Sequence, residues 1–175
     1  MSVRADMARQ NNPTPQDHAR VCELIGREPR GNYDVVVRTS TGDPVVLRNA
    51  PLLHDGTPMP TLYWLIGPHE VREVSRIEAD GGVNEVEALL GLECIADIHT
   101  RYARERDAEL PTDHTGPTPF GGVGGTRTGV KCLHAHFAWW LAGGDDAVGQ
   151  WTADQLTARG VAFTARTSCA TPLRS

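Results

Sequence analysis

A chain of 175 residues is long enough to bury one hydrophobic core, and its 39% hydrophobic and 22% charged residues are those of an ordinary globular domain. The formal net charge of −5 sets a field that repels nucleic acid and anionic membrane surfaces, so neither is an expected partner. No apolar run approaches the roughly 20 residues that cross a bilayer, and Met1–Pro15 has no apolar core of the signal-peptide kind, which points to the cytoplasm.

In chain order, residues 1–14 are polar and are expected to be a mobile N-terminus. A helix is expected from Thr14 or Pro15 to Ile25, with Asp17 in its first turn and Gly26 as its stop. Arg27-Glu28-Pro29-Arg30-Gly31 then forms a rigid basic turn. Tyr33–Arg38 and Val45–Arg48 read as a strand pair joined through Thr41-Gly42-Asp43-Pro44. Pro51–Pro60 is a loop, and Thr61–Ile66, apolar almost throughout, is a third strand covered on both faces. All three are expected in one antiparallel sheet.

Pro68 opens a helix carrying Val71, Val74 and Ile77, broken by Gly81-Gly82. Val83, Val86, Leu90, Cys94 and Ile98 keep helical spacing, so a longer helix should reach about Glu109, its charged end (RYARERDAEL) forming a solvated face. Leu110–Thr128 is a long loop, functional or disordered. Another helix is expected from Gly129 to Ala142, and Asp145 should cap a last one ending near Arg159. The fold expected is a single α+β domain over residues 15–160, a small antiparallel sheet of about three strands covered by helices, with residues 161–175 a poorly ordered tail.

The four cysteines form no CxxC pair and are expected as free thiols; Cys22 and Cys94 read as core, Cys169 lies in the tail, and Cys132 has ionisable company. It stands in Phe120–Ala142, where a glycine-rich loop leads into a segment with Lys131, Cys132, His134 and His136. Were Gly129–Ala142 one regular helix, Val130, Leu133, His134, Phe137 and Leu141 would face the core, and Cys132, His136, Trp139 and Trp140 the other side. Cys132 and His136 would then be i, i+4 neighbours able to share a metal ion with help from His54 or His69, whereas Cys132 and His134 would point apart. Gly124 and Gly129 have P-loop spacing, but Val130 intervenes before Lys131 and Cys132 stands where Ser or Thr is required, so that motif is rejected.

The reading that uses most of these residues is a pocket for a small anionic molecule. Lys131, His134 and Arg127 follow the glycine loop, and Arg27, Arg30, Asp55 and Thr57 come from the basic turn and the following loop. Cys132 and His134 are the candidates for catalysis. The competing readings are a protein-interaction module, or a homo-oligomer, anchored on Trp139 or Trp140, and a remnant metal site at Cys132 and His136.

Gly26-Arg27-Glu28-Pro29-Arg30-Gly31, Ala50-Pro51, Asp55-Gly56-Thr57-Pro58, Pro60-Thr61-Leu62-Tyr63, Ser75-Arg76 and Lys131-Cys132-Leu133-His134 occur in that order. In this the chain, over about Leu24–Leu141, resembles the uncharacterised bacterial family known as domain of unknown function 501. The resemblance implies kinship without an established activity. Members of that family carry Cys-x-Cys-Gly where this chain has Thr39-Ser40-Thr41-Gly42. Two thiolates there would join Cys132 and a histidine in a credible metal set; threonines are poor ligands, so no cofactor is expected here.

Overall fold

The computed structural model describes residues 13–168, and the N-terminal expectation for residues 1–12 and the tail beyond 168 lie outside that range. Helix α1 spans Pro15–Ile25, started by a reciprocal cap between Thr14 and Asp17 and stopped by left-handed Gly26. Strands β1 (Tyr33–Arg38), β2 (Pro44–Asn49) and β3 (Tyr63–Leu65) come next. They form one antiparallel sheet in the order β1-β2-β3, with Asp34 opposite Arg48 and Leu47 opposite Trp64. After them come α2 (Pro68–Ala79) and α3 (Gly82–Asp107), the latter kinked where Gly91 adopts a non-helical backbone. Helices α4 (Leu133–Leu141) and α5 (Ala147–Ala158) complete the single α+β domain.

The sheet is covered on both faces, as the apolar third strand implied. Tyr33, Val35, Leu47 and Ile66 close a small cluster with Val21 of α1. On the other face Val46, Tyr63 and Leu65 join the main core with Ile95, Ile98, Leu133, Phe137 and Leu156. Burial of this kind contributes about 25 cal/mol per Å² of apolar surface. β3 has few ladder bonds of its own, and α3 holds it: the fully buried Tyr102 hydroxyl accepts from the Leu62 and Tyr63 N–H groups at 2.7 and 3.2 Å.

Four expectations need correcting. The charged end of α3 is not simply solvated, because Tyr102 and Arg106 are buried one turn apart. Arg106 donates to the carbonyl of Gly121 at 2.9 Å and to that of Pro119 at 3.4 Å, fastening the long loop. α4 starts at Leu133 and not at Gly129: Gly129 is left-handed (φ 66°) and Cys132, the residue before the helix, is extended. The cap of α5 is Asp146, whose Oδ1 accepts from Val148 and Gly149 N–H, while Asp145 pairs with Arg101 at the surface. Finally, residues 161–168 are not loose. Thr164 donates through N–H and hydroxyl to Glu70 Oε1, and Thr167 N–H donates to the Leu141 carbonyl at 2.7 Å.

Candidate functional site

The shift in the start of α4 decides the geometry of the site. Because Lys131 lies in a bend and Cys132 in extended backbone before the helix, they do not obey helical spacing. Glu87 holds that segment by accepting from Val130 N–H at 2.6 Å. Glu78 of α2 accepts from Leu133 N–H and from His134 Nδ1–H at 3.1 Å, taking the place of a capping side chain. The N-terminus of α4 is therefore filled from within by a carboxylate.

The glycine loop is a built element. Gly122 and Thr126 close a turn around Val123–Gly125, and a side chain at Gly122 would run into the ring of His99. His99 bridges both ends of the loop: Nδ1 accepts from Val123 N–H at 3.1 Å and Nε2–H donates to the Gly129 carbonyl at 2.8 Å. Burial lowers its pKa, against the Gly129 hydrogen bond, in keeping with the neutral ring this pattern needs.

Lys131, Cys132 and His134 line one cavity of about 360 Å³, with Thr61, Trp64 and Leu65 of the third-strand region among its other walls. Lys131 is exposed, and its ammonium donates to the Gly124 carbonyl at 3.2 Å, with no carboxylate in ion-pair range among the described residues. His134 is half-buried. Its Nε2 lies 3.1 Å from the Val71 carbonyl and 3.0 Å from Ser75 Oγ. Both ring nitrogens thus face acceptors, the arrangement of an imidazolium. Burial opposes that charge, but the neighbouring Cys132, Glu78 and the Val71 carbonyl outweigh it and raise the pKa.

Ser75, His134 and Glu78 stand in the order of a nucleophile–base–carboxylate relay, but they cannot act as one. Ser75 Oγ–H is spent on the Val71 carbonyl at 2.7 Å, and His134 Nε2 faces the same carbonyl, to which it can only donate.

The other sequence candidates are elsewhere. Arg27 lies over the Trp64 ring, 5.6 Å from its centroid, and with Arg30 lines a separate small cavity. Arg30 pairs with Asp55 at 3.2 Å, and Thr57 N–H donates to the same carboxylate at 3.0 Å. Arg127 covers the exposed Phe120 ring. The structure thus brings Lys131, Cys132 and His134 together, and distributes Arg27, Arg30, Asp55, Thr57 and Arg127 over other surfaces.

Two assignments made on regular helical geometry are overturned. His136 does not sit beside Cys132 on an outer face; it is 1% exposed, its Nδ1 is 2.7 Å from Asp146, and its Nε2 has no hydrogen-bond partner among the described residues. His69 contacts the Ala162 carbonyl, and His54 lines another cavity, so neither completes a Cys132–His136 site. Nor is Trp139 an exposed anchor: it is buried with its N–H on Glu105, while half-buried Trp140 lies under Arg166. Conversely, Cys132 and His134, expected to point apart, come together with Glu78, and one ligand atom from each of the three lies within 4.8 Å of the others. Neither Glu78 nor Trp64 carries a local sequence signal; one is a charged residue in a helix and the other an aromatic in a strand.

Thr39 and Thr41 have their hydroxyls 2.9 Å apart, and Thr39 lines a different cavity from Cys132. No curated protein and no solved structure matches the chain. A family model described as "Protein of unknown function (DUF501)" matches residues 35–154, which takes in most of the sheet, α2, α3, α4 and most of α5. The chain belongs to that family.

Proposed function

We propose that the protein binds a small anionic molecule in the cavity beside Lys131. The observation that carries this reading is that Lys131 brings a positive charge with no carboxylate partner among the described residues to a concave site of about 360 Å³, within the size range of small-molecule pockets. The cavity walls set the rest of the ligand. Thr61 contributes a hydroxyl, whereas Trp64, Leu65 and Val71 suit an apolar or aromatic body attached to the anionic group. His134 forms a wall with its nitrogens already engaged, so Lys131 is the direct contact for the charge.

The test uses inorganic phosphate and phenyl phosphate as probes, read by calorimetry and thermal unfolding. Mass action gives about 2.7 kcal/mol of stabilisation at a hundredfold excess over Kd. Lys131→Ala is expected to remove that increment and leave the ligand-free protein close to wild-type stability, because the side chain is exposed. Phenyl phosphate should bind more tightly than phosphate. A Lys131→Ala protein that loses the same stability with and without either probe would show Lys131 to be scaffold and end this reading.

A further inference from the structure

We infer that Glu78, Cys132 and His134 form a binding site for a zinc-class divalent cation, with its open position facing the cavity. The three side chains come from α2 and from the turn into α4, 54 and 2 residues apart in sequence, and their ligand atoms lie within 4.8 Å of one another. A thiolate, an imidazole and a carboxylate are the donor set that zinc takes when it keeps a fourth position for water or substrate.

The histidine is already oriented as metal sites require. Its Nε2–H donates to the Val71 carbonyl at 3.1 Å, which fixes the ring and leaves Nδ1 facing Glu78 Oε1, also at 3.1 Å. With bonds of about 2.0–2.2 Å to nitrogen and oxygen, neighbouring ligands on a tetrahedral ion stand roughly 3.3 Å apart. The Nδ1–Oε1 separation is therefore close to one edge of the polyhedron. An ion entering there replaces the Nδ1 proton and takes Cys132 as thiolate, so both protons leave to solvent. The backbone supports the site too, since Leu133 N–H anchors the Glu78 carboxylate.

A second grouping, His18, Cys22 and Glu28, meets the same distance limit but is the poorer site. His18 already has Tyr33 on one nitrogen and Glu28 on the other, and Glu28 is 79% exposed, so an ion there would have to order a free side chain. The Glu78 and His134 side chains are 25% and 23% exposed and already held.

The experiment uses the full chain without a histidine tag, stripped with chelator, in phosphate-free buffer, so its result is independent of anion binding. Cobalt(II) is titrated in and followed by its near-ultraviolet thiolate-to-cobalt charge-transfer band; zinc is then used to displace it. One equivalent is expected to saturate the band, Cys132→Ser to abolish it and Cys22→Ser to leave it intact. Glu78→Gln, which keeps an acceptor for Leu133 N–H, should weaken binding by about tenfold or more, the scale on which site-orienting contacts act. Should the Cys132 variant misfold, wild-type protein answers the question: zinc must slow iodoacetamide labelling of Cys132 while labelling of Cys22 and Cys94 is unchanged. Absence of the band, its survival in Cys132→Ser, or its loss in Cys22→Ser would each overturn the site.

Discussion

Tyr102→Phe removes one oxygen from the middle of the molecule, and its cost can be worked out contact by contact. The ring is fully buried and edge-on to Trp139 at 5.2 Å, so Phe keeps its packing and opens no cavity. The group that disappears is the acceptor shared by Leu62 N–H at 2.7 Å and Tyr63 N–H at 3.2 Å. Each buried donor left without a partner costs about 1–3 kcal/mol, and the longer bond belongs at the low end. The total expected is about 2–4 kcal/mol. For a chain of this size that lowers Tm by roughly 4–16 °C. The hydroxyl stays protonated in the ordinary pH range because burial pushes its pKa up to about 12, so the loss should not depend on pH near neutrality. Urea unfolding gives the free energy. Hydrogen exchange gives the location, since the Leu62 and Tyr63 amides should lose protection before the β1–β2 ladder does. A loss under about 1 kcal/mol with both amides still protected would refute the claim that Tyr102 pins the third strand.

Gly149→Ala in α5 separates two opposing effects. Helix propensity alone favours Ala by about 1 kcal/mol, but the added methyl would meet the Trp140 side chain and the His136 carbonyl (2.6 Å). A net destabilisation of about 1–3 kcal/mol in urea unfolding is expected, and a gain would show that α4 and α5 are not packed this closely. Asp17 supplies the pH dependence: the Arg38 hydrogen bond, outweighing burial and joined by the Thr14 cap, holds its carboxyl well below the usual range. A folded-state pKa below the unfolded one stabilises above the ordinary Asp value of about 3.9 and is lost as pH falls through the folded value. The stability gap between wild type and Asp17→Asn, about 1 kcal/mol for a partly buried cap and ion pair, should hold from about pH 7 to 5 and shrink below about pH 4. A gap that stays constant down to about pH 2 would remove the pair from the acid response.

Much of the architecture is decided by local chemistry and is therefore legible in the chain. Thr14, Pro15 and Asp17 set the start of α1 and Gly26 its end; the β-branched run Tyr33–Arg38 pairs across a short turn; Pro68 opens α2. The apolar run Thr61–Ile66 announced a strand covered on both sides; its centre, Tyr63–Leu65, is a strand, with Tyr63 and Leu65 buried on one face and Trp64 half-buried on the other. These signals act within a few residues, through φ restriction, capping and side-chain periodicity.

The site was legible only as a set of residue types. Lys131, Cys132 and His134 stood out by chemistry, but helical spacing wrongly separated Cys132 from His134 and wrongly joined it to His136. The cause is tertiary: Glu78 and Glu87, from helices α2 and α3, capture the Leu133 and Val130 N–H groups and keep 130–132 out of the helix. Helix propensity offers only a few tenths of a kcal/mol per residue, and a carboxylate accepting a backbone N–H contributes more. Likewise Arg106 carries the sequence signature of a solvated helix end, and only the folded loop supplies the carbonyls that let it be buried. Contacts that satisfy polar groups across long stretches of chain have no local period, and it was these that placed a thiol, an imidazole and a carboxylate together.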